Sequence, residues 1–349
     1  MEGQDRIAGA GYVDDVGAAY REAVSAAGSE IEHVITIAGE RLSLHFAGRG
    51  LVDQVMPAFA HLETGRPGGT APSVRIWDSA STGVVPPPVP WRSERVRASV
   101  ELRVRIDAGI WGVFDAESDA MTVVDERSKR AYVHAPGPAL PWNQRAAPLR
   151  SALHWLLMAP RRHLMHAATV GAKRGGALIV GRGGSGKTTL ALACMDAGLD
   201  YLGDDYVLLS MDEPPLAHSL FATAKLTPDS FAMLPGFHDC VAYPGSSDDD
   251  KAVLDVGRRP GRIREAAPVS AVLVPRLTAH GPARVRGASG GVALLALGPS
   301  TIFQHPGRDA EAMKMMAQLV RMVPCYTVEV GPDPAVAARA IVRLLDRAP

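Results

Sequence analysis

One octet narrows the folds open to this chain more than any other feature: Gly181-Arg182-Gly183-Gly184-Ser185-Gly186-Lys187-Thr188. It has the spacing G-x-x-x-x-G-K-S/T. It follows the apolar run Ala177-Leu178-Ile179-Val180 and leads into Thr188–Ala197, which reads as a helix with Gly198 as its stop. A strand, a glycine loop and a helix in that order belong to an α/β layer. The glycines let successive N–H groups turn inward into a nest for anions, and the helix behind adds its N-terminal dipole. Lys187 brings a mobile cation to a phosphate, and the Thr188 hydroxyl is a ligand for Mg²⁺. Gly181, Gly183, Gly184, Ser185, Gly186, Lys187, Thr188 and Thr189 are therefore the expected contacts of a nucleoside triphosphate, ATP with Mg²⁺. The competing reading is a plain glycine-rich turn, and the octet by itself does not separate kinase from ATPase or GTPase.

Residues around the loop carry further chemistry. Gly203-Asp204-Asp205-Tyr206-Val207-Leu208-Leu209 places two carboxylates at the lip of an apolar strand, which is costly unless a cation is near. One aspartate can hold Mg²⁺ opposite Thr188 while the second accepts a proton from a substrate hydroxyl. As neighbours on a strand they would point to opposite faces and do different jobs. A turn or helix-cap pair is the alternative. His166 falls in His163–Val170, read as one strand, where a histidine is either a core residue or a group at the site. Lys225, among small and apolar residues, either contacts a phosphate or snorkels to the surface. Asp248-Asp249-Asp250-Lys251 and the arginines from Arg258 to Arg264 form either a flap over the nucleotide or solvated loops.

With 349 residues the chain has room for two domains. Its first half is strand-rich. A hairpin is expected around Gly39-Glu40, a helix over 52–62, and a meander from Val100 to His134 after the stiff Val84–Pro90 connector. The proline- and glycine-rich stretch Ala135–Pro148 closes it. We expect a smaller strand-rich α+β domain over 1–147 and an α/β P-loop domain over 148–349, with helices at 149–158, 310–323 and 334–346 and a strand at 326–330. The first domain shows no catalytic constellation. By elimination it is expected to recognise substrate, with an unpaired strand edge taking an extended peptide.

Lys+Arg and Asp+Glu are equal at 37, so charge argues against bulk binding to nucleic acid or an anionic membrane. Three scattered cysteines (Cys194, Cys240, Cys325) fit reduced, buried thiols. With no apolar run of about 18 residues and no signal-peptide pattern in the first twenty, a cytoplasmic protein is expected.

The run Met165-His166, the octet beginning fifteen residues after His166, and Asp204-Asp205 sixteen and seventeen residues past Thr188 together resemble the catalytic domain of HPr kinase/phosphorylase. The likeness is nearest to the HPr-kinase-like serine kinases beside peptide-modifying enzymes, such as those of lasso-peptide clusters, and it covers roughly residues 150 to 275. It implies a phosphoenolpyruvate-carboxykinase-like P-loop fold and ATP-dependent transfer to a serine or threonine hydroxyl on a peptide or small protein. It implies Asp205 as general base, Asp204 near the metal with Thr188, and His166 and Lys187 at the transferred phosphate. Family members are oligomers, so the resemblance extends to a homo-oligomer. Two departures stand out. Ala167 replaces the glycine after the histidine. Ser219–Leu226 also lacks the family's acid, though Lys225 can stand for its arginine, and this points the transfer away from HPr. A kinase for a small-metabolite hydroxyl and a non-catalytic ATP-binding switch are the rival functions.

Overall fold

The computed structural model describes residues 8–65, 72–88, 101–115, 118–245, 251–259, 261–304 and 308–347. The chain divides into two units, Met1–Pro57 with Leu62–Leu157, and Ala58–His61 with Met158–Pro349.

The first unit runs α1 (Ala8–Ala27), β1 (Glu30–Ile37), β2 (Glu40–Ala47), α2 (Val52–Val55), a 3-10 helix (Met56–Leu62) whose middle, Ala58–His61, belongs to the second unit, β3 (Ser73–Asp78), α3 (Ser79–Thr82), β4 (Glu101–Asp107), β5 (Ile110–Asp115), β6 (Ala120–Asp125), β7 (Arg130–Ala135), α4 (Trp142–Ala146) and α5 (Arg150–Leu157). Its strands form one sheet in the order β1-β2-β3-β7-β6-β5-β4. The expected hairpin forms on a two-residue turn, Ala38 and Gly39, both at positive φ (51° and 77°), the geometry that matches the strand twist. The expected helix over 52–62 tightens to a 3-10 helix from Met56, where Pro57 removes a donor. Helix α1 lies on the sheet through Val16, Tyr20 and Ala23, which pack with Trp77, Val123 and Tyr132. Its glycines hide it from propensity. Gly17 is needed, because a Cβ there would stand 2.8 Å from the Tyr132 hydroxyl. Helix α5 packs on β6 and β7, and Trp155 stacks on Trp111 at 5.2 Å. The unit extends to Leu157, beyond the proline- and glycine-rich stretch Ala135–Pro148.

The second unit continues with β8 (Arg162–Met165), β9 (Ala168–Ala172), β10 (Gly175–Ile179), α6 (Lys187–Asp196), β11 (Asp200–Gly203), β12 (Val207–Ser210), β13 (Leu216–His218), β14 (Thr223–Leu226), α7 (Pro228–Ala232), β15 (Val241–Tyr243), β16 (Ala252–Asp255), β17 (Ala266–Leu277), β18 (Arg284–Ala288), α8 (Gly290–Gln304), α9 (Asp309–Met322), β19 (Cys325–Val330) and α10 (Pro334–Asp346). The main sheet runs β11-β9-β10-β17-β13-β12-β8, with β19 on the far half of β17 and β18 beyond it. Strand β10 is parallel to β17, as is β19. Alternation along β10 serves two cores. Ala177 and Ile179 pack under α6 and α10 with Leu190, Cys194 and Ile341, while Leu178 and Val180 face α8 and α9 with Leu297, Met316 and Leu319. The result is a mixed α/β layer with helices on both faces. Gly176 permits close strand approach, since a Cβ there would lie 2.6 Å from the Val170 carbonyl oxygen. A separate three-stranded sheet, β14-β16-β15, completes the unit.

The single strand expected over 163–170 is two. Strand β8 pairs with β12, whereas β9 pairs with β10 and β11. The chain changes partners at His166-Ala167, and the His166 N–H leaves the ladder to donate to Thr301 Oγ1 at 3.2 Å.

Candidate active site

Strand β10 delivers the octet to the mouth of the sheet. Gly184 and Gly186 take φ of +77° and +84°, a conformation that side chains rarely adopt, and Gly186 caps α6. A Cβ on Gly181 would stand 2.6 Å from Ser185 Oγ, so the loop is wound tightly on itself. Lys187 is buried and donates through Nζ to the carbonyl oxygens of Gly181 (2.9 Å) and Arg182 (3.2 Å). Burial lowers its pKa, the nearby Asp205 and Asp204 work the other way, and the charges of Lys251 and Lys225 lower it further.

The two aspartates do not lie on a strand, contrary to the expectation from their place beside the apolar run. They occupy the bend between β11 and β12, where Asp205 has φ of 60° and the Tyr206 N–H returns to the Asp204 carbonyl at 2.7 Å. The bend still sends the side chains apart. Asp204, 4% exposed, accepts from Thr188 Oγ1 at 2.8 and 2.9 Å and from the Lys225 N–H at 3.2 Å. Burial, then the charge of Asp205, pushes its carboxyl up to about 6. Asp205 forms an ion pair with Lys225 Nζ, and its other oxygen is 3.5 Å from His166 Nε2. Burial would raise the Asp205 pKa, but Lys225 and the His166 hydrogen bond outweigh it and hold the carboxylate ionised. His166 is 5% exposed; burial lowers its pKa, opposed by Asp205. Its ring meets Tyr206 edge-on at 5.6 Å.

Lys225 on β14 therefore finds an anion inside the protein, not at the surface. The segment before it is packing: Phe221 is fully buried between Phe59 (5.5 Å) and Tyr206 (6.5 Å). Beside it, the Ala222 N–H donates to the Ala58 carbonyl, and His61 Nε2 lies 2.8 Å from Ser219 Oγ.

One cleft of about 630 Å³ is lined by His166, the loop from Gly183 to Thr189, Asp205, Lys225 and Lys251, and by the apolar Met233, Leu277 and Pro332. Lys251 was visible in the sequence only as the end of an acidic run, and Asp248–Asp250 lie outside the described residues. Three of the arginines expected in a flap have other partners. Arg258 donates to the Val241 carbonyl, Arg259 pairs with Asp196 at 2.6 Å over the Phe237 ring, and Arg264 donates to the Ala172 carbonyl.

No group of three or more His, Cys, Asp or Glu residues that could hold a metal occurs among the described residues. Thr188 Oγ1 and the Asp204 carboxylate are a partial, all-oxygen set. That suits Mg²⁺, which takes few protein ligands and completes its shell with phosphate oxygens and water.

No family model matches the chain, and no curated protein matches it in sequence. One similar solved structure is the HPr(Ser) kinase/phosphatase from Coxiella burnetii, at 12% identity and a TM-score of 0.30, over 53% of this chain and 97% of that one. A likeness this slight assigns no activity. No helix among the described residues is long and apolar enough to cross a membrane.

Proposed function

We propose that the second unit is an ATP- and Mg²⁺-dependent kinase that transfers the terminal phosphoryl group to a serine or threonine hydroxyl of a peptide or small protein. On the residues of the family resemblance we read it as a phosphoenolpyruvate-carboxykinase-like P-loop domain. One observation carries the proposal: a half-buried carboxylate, Asp205, stands in the phosphate cleft beside Lys225 and His166, separate from the Asp204 that Thr188 holds. A bare nucleotide switch needs only the second acid.

Phosphoryl transfer asks mainly for positioning and charge neutralisation. The loop N–H groups and α6 hold the phosphates, and Lys187 has only to exchange two carbonyl partners for phosphate oxygens. Mg²⁺, when bound by Thr188 and Asp204, supplies neutralisation of phosphate charge. Asp205 orients the acceptor hydroxyl and takes its proton. An arriving phosphate competes for Lys225, and any loosening of the Lys225–Asp205 pair makes Asp205 a stronger base.

The test is mass spectrometry of peptide and small-protein substrates incubated with ATP and Mg²⁺. A phosphate gained on a seryl or threonyl residue is expected. ATP binding with phosphate found only on small metabolites, or on no hydroxyl, would overturn the proposal.

A further inference from the structure

The cleft lining is of two chemical kinds. Three lysines belong to it, Lys187, Lys225 and Lys251, close enough that the last two depress the first. Another part of the lining is apolar. Two of the large hydrophobic side chains that the protein leaves exposed line it, Met233 at 45% and Leu277 at 61%. Leu277, the last residue of β17, lies against the loop itself, 3.1 Å from where a Cβ on Gly186 would stand. Val330, Pro332 and Pro334 continue the same wall. A methionine and a leucine on the wall of one cleft offer a flat apolar ring a surface to lie against.

Among the described residues, the hydroxyls of Thr227, Ser230 and Thr278 in this lining bond within the protein. Thr227 Oγ1 bonds to Ser230 Oγ at 3.0 Å and accepts from the Ser230 N–H. The Thr278 N–H and hydroxyl both turn to the Val330 carbonyl, at 2.9 and 3.4 Å. Prolines offer no donor. Discrimination between bases requires polar groups aimed at the base edge, because apolar contacts alone separate similar ligands weakly.

We infer that Met233 and Leu277 clamp the nucleoside's base, and that this chain accepts adenine and guanine nucleotides alike. The inference rests on the proposed phosphate site but concerns a different part of the ligand.

The experiment is competition against a fluorescent ATP analogue by ATP, GTP and inorganic tripolyphosphate, with Mg²⁺, on the full chain. The wild type is compared with Met233→Ala, Leu277→Ala and the double variant. Both side chains are exposed, so folding is not at stake. ATP and GTP are expected to bind within about fivefold of each other; a wider gap overturns the inference. The double variant is expected to weaken both nucleotides by at least about fivefold while shifting tripolyphosphate by less than about twofold. A smaller loss for the nucleotides, or an equal loss for tripolyphosphate, overturns the clamp and leaves the phosphate site standing. Failure of the analogue and of all three competitors to bind wild type removes the phosphate site, and the clamp with it.

Discussion

Both units bury charged and polar side chains, and they use them differently. In the first unit Asp78 is 1% exposed, yet it is fully accounted for by its own turn: it caps α3, accepts from the Ser81 N–H at 2.8 Å and bonds the Ser81 hydroxyl. His134 beside it meets Ser79 Oγ at 2.6 Å, and burial, eased by the charge of Asp78, lowers it to about 4. These groups satisfy one another locally. In the second unit Asp205, Lys187, Lys225 and His166 come from four separate stretches of chain and line an open cleft, with Asp204 held behind Thr188. A buried charge held by its neighbours in sequence needs only a folding role. Buried charges gathered from distant elements around a cavity call for a ligand.

The contrast breaks first, if it breaks, at Asp205. Asp205→Asn is expected to lower the rate of phosphoryl transfer by about 10³-fold with ATP still bound, the scale of losing a positioned general base. It also takes the carboxylate away from the half-buried Lys225, so stability should fall by about 2 kcal/mol. Adding Lys225→Met should recover much of that stability and none of the activity. Recovery of activity in the double variant would show that Asp205 serves only to neutralise the lysine.

The next effect depends on pH. Asp204 is raised in the folded protein from 3.8 to about 6, so the folded state holds its proton more tightly than the unfolded chain. Its contribution to stability is full below pH ~4 and is lost as pH rises through ~6, by on the order of 2 kcal/mol. Thermal melts of wild type and Asp204→Asn, free of nucleotide and metal, should therefore show wild type losing ground as pH climbs from 4 to 7. The opposite slope would mean that Thr188 and the Lys225 N–H stabilise the carboxylate more than burial opposes it. The smallest effect is on the other side of the comparison. Asp78→Ala is expected to cost about 1–2 kcal/mol of stability through the lost cap, with kcat per folded molecule unchanged.

Much of this was legible in the residues. The octet and its flanking strand and helix could be read directly, because each position is dictated by backbone geometry or phosphate chemistry. The Lys225–Asp205 pair could not, since it joins a bend to a strand of another sheet and has no spacing of its own. His166 was legible as a candidate, but the break in its strand was not, because the Thr301 hydroxyl that captures its N–H comes from α8, a helix carrying Gly290, Gly291 and Pro299. Helix α1 was hidden for the same reason, Gly9 and Gly17 serving close packing and not flexibility. Met233 and Leu277 gave no signal at all, since an exposed apolar side chain looks like any other until its neighbours are known.

Ala58–His61 show how poorly a cut at the proline-rich boundary would divide this chain. Four residues encoded among the strands of the first unit are structurally part of the second. They supply the Phe59 ring against Phe221, the Ala58 carbonyl for the Ala222 N–H, and His61 for Ser219. Phe221 in turn supports Tyr206, and Tyr206 meets His166. A fragment beginning near residue 148 would carry an uncovered phenylalanine, an orphaned N–H and an unpaired serine two aromatic contacts from the cleft. Its inactivity would then say nothing about substrate recognition by the missing part. A usable catalytic fragment would have to bring that four-residue splint along, supplied as a separate peptide or grafted on through a linker.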